Sequence, residues 1–466
     1  MNLNPMRFPF FTKTESDSIN QKIFRAAVII GLLTLVTRVG TIIKELAVAR
    51  TFGRSDAMDA FLIAFLLPSF FVTLVMGAAG SALVPVFVAT RQNKGLEAAE
   101  NLLSSLMVIT VAALSALALL MCSFAPYYLP YMAHAFSPEK LRLTRELLYL
   151  LAPWLIFNGV GQLVTSVLNA GEKFALPALV PLVTPLLIIA CVTLGAEKIG
   201  AFALVVGSLA GSAVEATLLV KLLRDHGIRP RLRWGGLDSS LRMVMLQYAP
   251  LLAGAFLMAS VAVVDQSMAA MLPAGSVSAL GYANRIVSGI AALGANAISA
   301  ATLPYFSKMA VAADWAGCRH TLKRYVALIA ATTVPFTLLL IAFSRPIARL
   351  LYQRGAFTAA DTELVSHIQS FFALQIPFLL LCALLVRFLS AIRRNDLLMY
   401  GCAINLTVNI TLNFALMKIW GVSGIALSTS VVHFVSFLFL SACTLTLLVR
   451  RGSSVESTTI QAPASN

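Results

Sequence analysis

Long apolar runs recur along the whole chain, and short polar segments separate them. Each run is about 20 residues or longer, the length that an α-helix needs to cross a hydrocarbon core about 30 Å thick. The runs lack the two-residue alternation of membrane β-strands, so the pattern predicts twelve membrane-spanning helices. The predicted spans are 26–49, 57–89, 103–132, 143–169, 175–195, 200–223, 243–272, 277–306, 325–344, 364–391, 398–417 and 421–449.

The two halves of the chain resemble each other. The segment GSALVPVFVATRQNKG, residues 80–95, aligns with SAATLPYFSKMAVAAD, residues 299–314, and a later match pairs Pro153 with Pro377. This repeat relates the first six spans to the last six, and since six is even, both halves enter the membrane from the same side. We therefore predict an all-α polytopic membrane protein of two six-helix lobes related by a parallel pseudo-two-fold axis.

The distribution of Lys and Arg predicts the orientation. These residues are about twice as frequent on the side of the N-terminus as on the other side, so the positive-inside rule places both termini in the cytoplasm. The predicted parts are an N-terminal tail (1–25), an N-lobe (26–223), a basic linker (224–242), a C-lobe (243–449) and a polar C-terminal tail (450–466).

Composition supports a membrane protein and narrows its function. Of the 466 residues 59% are hydrophobic and 12% are charged, whereas soluble domains carry about 25% charged residues. The net charge of +15 follows from the basic loops on one side, so we predict no nucleic-acid partner. The six cysteines and five histidines are scattered, which predicts no metal site.

Charged residues interrupt the apolar spans. A charge near the bilayer centre costs about 2.5–3.5 kcal/mol on insertion scales, so such residues usually face a protein interior or an aqueous cavity. Basic residues come from both halves, which predicts an anionic ligand between the lobes, with structural ion pairs as the alternative. The embedded charges are Arg38, Lys44, Glu45, Asp59, Glu215, Asp265, Arg285 and Arg387.

Asp265 stands apart because its span contains no basic neighbour. Span 11 carries Asn405, Asn409 and Asn413 at intervals of four residues, so the three amides share one helix face. A carboxylate with amide oxygens suits Na⁺, so we expect Asp265 with Asn405 and Asn409 to form an ion-coupling site, and a proton on Asp265 is the second option. Interhelical hydrogen bonding is the structural alternative.

Two spans contain helix-breaking residues at related positions of the repeat. Interrupted spans in corresponding places of two halves indicate a transport site. We expect breaks at Pro68, Gly77, Gly80 and Pro85 in span 2, and at Gly289, Gly294 and Pro304 in span 8.

Several of these segments resemble the MurJ/MviN family of the MOP exporter superfamily, whose fold is MATE-like. The resemblance covers about residues 25 to 450, and it implies a lipid II flippase of the bacterial inner membrane. Its motifs align Arg38, Asp59, Pro68 and Arg285 with family positions, which implies that Arg285 lines the cavity. The segments are TRVGTIIKELAVARTFGRSDAMDAFLIAFLLPSF, GSVSALGYANRI, LPYFSK and LYQRGAFTAADT.

The sequence also departs from the family pattern. Lys44-Glu45 replaces an Arg-Asp pair, Val72 stands where an arginine is expected, and Gly77 stands where a glutamate is expected. Many members have fourteen spans, whereas twelve are predicted here. These departures favour a relative that serves exported polysaccharides over the housekeeping peptidoglycan flippase of cell-wall synthesis.

The resemblance implies a specific function. The expected substrate is an undecaprenyl-diphosphate-linked saccharide, moved to the outer leaflet by alternating access. Arg38, Lys44, Asp59, Arg285 and Arg387 are the expected substrate-binding residues, with Asp59 also closing an outer gate. The expected driving force is Na⁺, H⁺ or the membrane potential, without a bound cofactor.

Three other functions remain open at this stage. A cation-coupled drug exporter of the same superfamily fits the fold, but its ligands are often cationic, unlike those expected for this basic interior. A membrane-embedded glycosyl- or phosphotransferase would need an acidic metal site at the membrane surface, which the loops lack. A non-transporting scaffold for cell-envelope assembly would tolerate loss of the cavity charges. Expected partners are the membrane lipids and cell-envelope glycan-synthesis enzymes.

Overall fold

The computed structural model describes residues 19–77, 79–170, 175–231, 233–236 and 238–460. The predicted N-terminal tail therefore lies largely outside the described residues, as do the last six residues of the C-terminal tail.

The first half of the chain forms eight α-helices. A short 3₁₀ turn, Val180–Leu182, joins the sixth helix to the seventh. The helices are α1 (Ile19–Phe52), α2 (Asp56–Met76), α3 (Ala79–Lys94), α4 (Leu96–Met132), α5 (Pro138–Ala170), α6 (Ala175–Leu179), α7 (Val183–Ile199) and α8 (Phe202–Asp225).

The second half forms eight more helices, so every regular element in the described residues is helical. They are α9 (Ser239–Ala269), α10 (Ser276–Val311), α11 (Trp315–Ala342), α12 (Ser344–Tyr352), α13 (Ala359–Ala373), α14 (Gln375–Ala391), α15 (Asn395–Trp420) and α16 (Val422–Ile460).

Eleven helical segments of the described chain are long and apolar enough to cross a membrane. They coincide with predicted spans 2 to 12, and α1 occupies the position of span 1. The prediction of an all-α, multi-pass membrane protein is confirmed.

The packing of the helices repeats between the lobes. In the N-lobe, α5 packs against α2, α4 and α8, while α7 packs against α1 and α8. In the C-lobe, α14 packs against α10, α11 and α16, while α15 packs against α9 and α16. The same pattern of neighbours in both halves reflects the parallel repeat that the sequence indicates.

The expected helix breaks need correction. Gly77 caps the end of α2 and Gly80 lies in the first turn of α3, so the expected break in span 2 is present there. Pro68 and Pro85 lie inside α2 and α3, and α10 continues through Pro304. Membrane helices tolerate an internal proline because neighbouring groups and small local adjustments compensate for the missing N–H donor.

Span 10 is interrupted instead of span 8. It divides into α13 and α14 at Leu374. Pro377, in the first turn of α14, cannot donate a hydrogen bond to the carbonyl of Ala373, so the helix is interrupted there.

The lobes meet mainly along one seam, where α9 lies against α2, α3 and α4. At one end of this seam, Lys94 Nζ donates to the hydroxyls of Ser239 and Ser240 at 2.8 and 3.1 Å. We call this the linker end, because the chain between α8 and α9 lies there. We call the opposite end, where the α1–α2 loop meets the α9–α10 loop, the gate end.

Candidate functional site

Three charged side chains from both lobes form an ion-pair cluster. Glu45 of α1 accepts a hydrogen bond from Lys44 at 2.7 Å and pairs with Arg285 of α10. The Lys44 and Glu45 side chains are largely buried, and the Arg285 side chain is about one-third exposed. One carboxylate thus holds two cations, and the cluster keeps a net positive charge between the lobes.

The other three predicted substrate residues, Arg38, Arg387 and Asp59, lie outside this cluster. Arg38 is exposed on α1 and forms no ion pair among the described residues. Arg387 lies on α14, and its buried Nε atom has no hydrogen-bond partner in the described part of the chain. Arg387 is half-buried, and its Nε donor is left without a hydrogen bond.

Asp59 lies at the gate end rather than beside Arg38 or Lys44. Its side chain is 1% exposed, and it accepts hydrogen bonds from the backbone N–H groups of Gly275 and Ser278 at 2.7 and 2.9 Å. These N–H groups belong to the N-terminus of α10, where a negative charge is favoured. Lys140 of α5 completes the site at 3.0 Å from Asp59.

A second interaction at the gate end also links the lobes. Arg54 donates to the carbonyl of Gly275 at 3.1 Å and to Asp361 at 2.9 Å. Nearby, the backbone N–H of Ala356 donates to the carbonyl of Arg50 at 2.8 Å. Together with Asp59, these contacts hold the α1–α2 loop against the C-lobe, so the gate end is closed in this structure.

Sequence reasoning missed three of the gate residues. Arg54 and Lys140 stand next to polar segments in the sequence, and nothing there indicates that both pair with a carboxylate in the fold. Asp361 belongs to the segment LYQRGAFTAADT that carries the family resemblance, and this was the one available signal for it.

The break after α2 forms a contact between the lobes. The last turn of a helix has carbonyls without intrahelical partners. Here the Tyr248 hydroxyl of α9 donates to the carbonyls of Leu74 and Val75. The interruption at Gly77 therefore provides acceptors for the opposite lobe.

Asp265 joins a polar cluster from three helices of the C-lobe. Its Oδ1 accepts hydrogen bonds from the amides of Asn409 and Asn413 at 2.9 and 2.6 Å, and its Oδ2 accepts one from Thr429 at 3.4 Å. Asn409 and Asn413 are fully buried, and the Asn413 Oδ1 atom has no partner among the described residues.

The predicted third member of this cluster needs correction. Asn405 accepts a hydrogen bond from Ser436 of α16 at 2.5 Å. Asn413, and not Asn405, lies beside Asp265. The periodicity of α15 aligned all three amides correctly but could not show which of them faces α9. Thr429 was missed because a threonine in an apolar span has no distinctive sequence signal.

Glu215 has a structural role. Its carboxylate accepts a hydrogen bond from the backbone N–H of Thr184 at 2.9 Å. Thr184 lies in the first turn of α7, directly after the 3₁₀ turn, where backbone N–H groups lack helical partners. Glu215 therefore caps an irregular helix start inside the N-lobe.

Comparison with known proteins gives consistent results. The family model "Lipid II flippase MurJ" matches residues 48–460. A probable lipid II flippase MurJ of Vibrio cholerae is 24% identical over 439 residues, which cover 91% of this chain and 83% of the relative. A Thermotoga maritima protein of the same description is 26% identical, over 88% of this chain and 83% of its own length.

Solved structures show the same fold. A structure described as lipid II flippase MurJ in an inward closed conformation superposes with a TM-score of 0.74 at 24% identity, covering 94% of both chains. An inward-facing multidrug resistance MATE transporter of the MOP superfamily gives 0.70 at 13% identity, covering 92% of this chain and 99% of its own. Flippases are transporters and not enzymes. On the match of its residues 48–460, the chain belongs to the MurJ family.

Proposed function

We propose that this protein is a flippase for lipid II or a related undecaprenyl-diphosphate-linked saccharide. The observation that carries the proposal is the net positive cluster of Lys44, Glu45 and Arg285, which joins the lobes below a closed gate end. A diphosphate is a fitting ligand, because guanidinium and ammonium groups form strong charge-assisted hydrogen bonds with phosphate oxygens.

The cluster suggests how substrate binding acts on the conformation. Without substrate, the Glu45 carboxylate pairs with both cations, Lys44 and Arg285. A diphosphate that binds Lys44 and Arg285 competes with Glu45 and replaces the direct pair between α1 and α10. Arg38, exposed on α1, and Arg387, with its free Nε atom, supply further positive charge for the diphosphate or an acidic sugar.

Alternating access then moves the headgroup. A polar headgroup loses its bound water when it enters hydrocarbon, and an unpaired charge in hydrocarbon is costly. The charged side chains of the cavity take the place of that water. Asp59 and Arg54 close the gate end, and release of their contacts opens the cavity at that end, toward the outer side of the membrane. The protein acts in the bacterial inner membrane with both termini and the linker end in the cytoplasm, beside the enzymes that synthesise the saccharide.

The Asp265 cluster is the proposed ion-coupling site. Asp265, Asn409, Asn413 and Thr429 provide oxygen atoms around a single carboxylate, which suits one monovalent hard cation such as Na⁺. The two amides now present N–H groups to Asp265, so both would rotate to offer their oxygens to the ion. H⁺ on Asp265 and the membrane potential are the other driving forces, and no resident cofactor is proposed.

Complementation of a bacterial strain depleted of its lipid II flippase tests the proposal. We expect the wild-type protein to restore growth, whereas Arg38→Ala and Arg285→Ala do not. Arg142→Ala, which changes an exposed arginine paired with Glu146 outside the cavity, is the matched control and should restore growth.

The failures of this experiment have different meanings. No rescue by well-expressed wild-type protein would exclude lipid II and favour the lipid carrier of another polysaccharide. Full rescue by both variants would show that neither Arg38 nor Arg285 is needed for transport, which would contradict the role proposed for these residues.

A further inference from the structure

A groove opens between the second half of α10 and the first half of α11. Its cavity volume is about 460 Å³, and Tyr305, Phe306, Met309, His320, Arg324 and Leu328 are among its lining residues. It lies toward the linker end of the C-lobe, because α10 ends and α11 begins there.

The internal repeat shows why this groove is open. In the N-lobe, the corresponding helices α3 and α4 are covered by α9, whose first residues bind Lys94. The linker also covers α4, since the N–H groups of Arg231 and Gly235 donate to Ser104 and Ser105. Among the described residues, no helix or linker segment covers α10 and α11 in this way, and the cavity between them remains open.

His320 and Arg324 line the groove, and the helix ends beside it carry further basic residues. The first turns of α11 carry four groups that are or can become cationic, and α10 adds Lys308 in its last turn. The one nearby carboxylate, Asp314, caps α11 by accepting the N–H of Gly317 at 2.8 Å. None of these basic residues forms an ion pair within the described chain. The four groups on α11 are Arg319, His320, Lys323 and Arg324.

The opposite part of the groove is apolar and continues into the membrane region. Leu328 lies one turn beyond Arg324 and is 54% exposed, and Phe336 and Leu339 are also exposed further along α11. Tyr305 is 65% exposed at the mouth, in the manner of aromatic residues at a membrane interface. A ligand of this groove therefore needs an anionic head and an apolar tail.

We propose that the groove between α10 and α11 binds an anionic phospholipid. Arg324 and His320 hold its phosphate, and one acyl chain lies along Leu328 and the exposed face of α11. Basic pockets between membrane helices on the cytoplasmic side bind acidic lipid headgroups in this way. The assignment to the inner leaflet rests on the proposed orientation of the chain, but the binding itself does not depend on the proposed transport activity.

Lipid binding to the purified full-length protein tests this proposal. Native mass spectrometry in detergent compares phosphatidylglycerol with phosphatidylcholine of the same acyl chains. We expect wild-type protein to prefer phosphatidylglycerol, and Arg324→Gln to lower its affinity about fivefold, the effect of one basic residue near an acidic lipid. Arg242→Gln, an exposed basic residue of α9 toward the same end, is the matched control and should leave the affinity unchanged.

Two further arms separate the sources of the phosphate. Glycerol 3-phosphate, which has the headgroup charge without acyl chains, should compete poorly, and Leu328→Gln should weaken phosphatidylglycerol binding. Equal competition by glycerol 3-phosphate would overturn the proposal in favour of a free-anion site. Equal loss in Arg324→Gln and Arg242→Gln would overturn it in favour of general surface charge.

Discussion

Asp59 is a buried charge whose partners come from both lobes. Desolvation of a carboxylate costs several kcal/mol, so it must be offset by good hydrogen bonds and an opposite charge. Asp59 has two backbone donors from α10 and the ammonium group of Lys140. One side chain therefore stabilises the closed gate end, and its charge is essential to that role.

Substitution of Asp59 by Asn should weaken the gate end. The variant removes the buried one of the two carboxylates that pair with Lys140, and breaking a buried pair costs about 3–5 kcal/mol. We expect a loss of free energy of unfolding at the lower end of that range, because Asn keeps one carbonyl acceptor. Thermal or denaturant unfolding in detergent measures it.

Asp56 provides the control for this prediction. It also pairs with Lys140, at 2.6 Å, but its side chain is 65% exposed. Asp56→Asn should cost about 1 kcal/mol or less, as for surface ion pairs. Equal losses in the two variants would show that burial does not set the contribution of Asp59.

The sequence predicted several charged residues of the candidate site but not their partners. A charged residue inside an apolar span is costly and can be found from hydropathy alone. Lys44, Arg285 and Asp265 could therefore be predicted as site residues. Pairings such as Arg285 with Glu45 depend on how α10 lies against α1, which a single sequence does not encode locally. For the same reason Asn405, although in phase with Asn409, proved to face Ser436.

The loop between α9 and α10 needs glycine at its end. Gly275 has φ +81°, and an added Cβ atom would lie 2.9 Å from the carbonyl oxygen of Arg54. Gly275→Ala should therefore cost about 1–2 kcal/mol for the left-handed backbone and a further 1–3 kcal/mol for the clash. Unfolding measurements, and faster thiol labelling of a cysteine introduced at the gate end, test both effects.

Gly236 separates the two causes. It has φ +87° in the linker, and an added Cβ atom would meet no other atom within 4 Å. Gly236→Ala should show only the backbone cost of about 1–2 kcal/mol and no change in thiol labelling. A similar labelling change in this variant would contradict a local effect of the clash at Gly275.

The packing of α9, α15 and α16 predicts a cation response. Ligand binding to the folded state alone stabilises it, by about 2.7 kcal/mol at a concentration 100 times the dissociation constant. We expect Na⁺ to raise the melting temperature of the wild-type protein relative to choline at equal ionic strength. Asp265→Asn should abolish the increase, because the only carboxylate of the cluster is lost.

Asn405 offers a matched control on the same helix face. Its amide oxygen bonds to Ser436, so Asn405→Ala should keep the Na⁺ response, whereas Asn413→Ala should weaken it. A response to H⁺ but not to Na⁺, lost in Asp265→Asn, would identify proton coupling instead. No cation response in the wild-type protein would contradict a coupling site here.

Hydropathy predicted the spans well, but it missed features that depend on short segments. The amphipathic helix α12 has only nine residues, too few for a span, so the hydropathy pattern leaves it between predicted spans 9 and 10. Hydropathy did not predict the division at Leu374, because it does not show whether Pro377 lies in the first turn of a new helix or bends a continuous one. In α10, by contrast, Pro304 was read as a break that the helix does not have.

At the scale of the whole molecule, the two lobes repeat each other but their contacts are unequal. α9 lies along α2, α3 and α4, whereas its counterpart α1 is joined to α10 through the ion pair of Glu45 with Arg285. The repeat accounts for the similar arrangement of helices within each lobe. The contacts between the lobes differ, and they determine the conformation of the whole molecule. In the proposed alternating cycle, the closed gate end is one of the states.

If that cycle is the function, linking the lobes at the gate end should stop it. Arg54 and Asp361 form an ion pair at 2.9 Å across the lobes, so cysteines at these positions can be joined by a short bifunctional maleimide. In a background without the six native cysteines, we expect the linked protein to lose at least nine-tenths of its transport, measured as headgroup translocation in vesicles. The unlinked double variant should retain activity, since a single partly exposed ion pair contributes about 1 kcal/mol or less.

A linkage within one lobe distinguishes arrested motion from chemical damage. Arg345 and Glu363 also form an ion pair at 2.9 Å, but both belong to the C-lobe. Linking these two positions with the same reagent should leave transport unchanged, because rigid-body movement of the lobes does not separate them. Full transport with the gate end linked would show that the gate contacts persist through the cycle. The substrate would then have to cross by a route that needs no opening between Arg54 and Asp361.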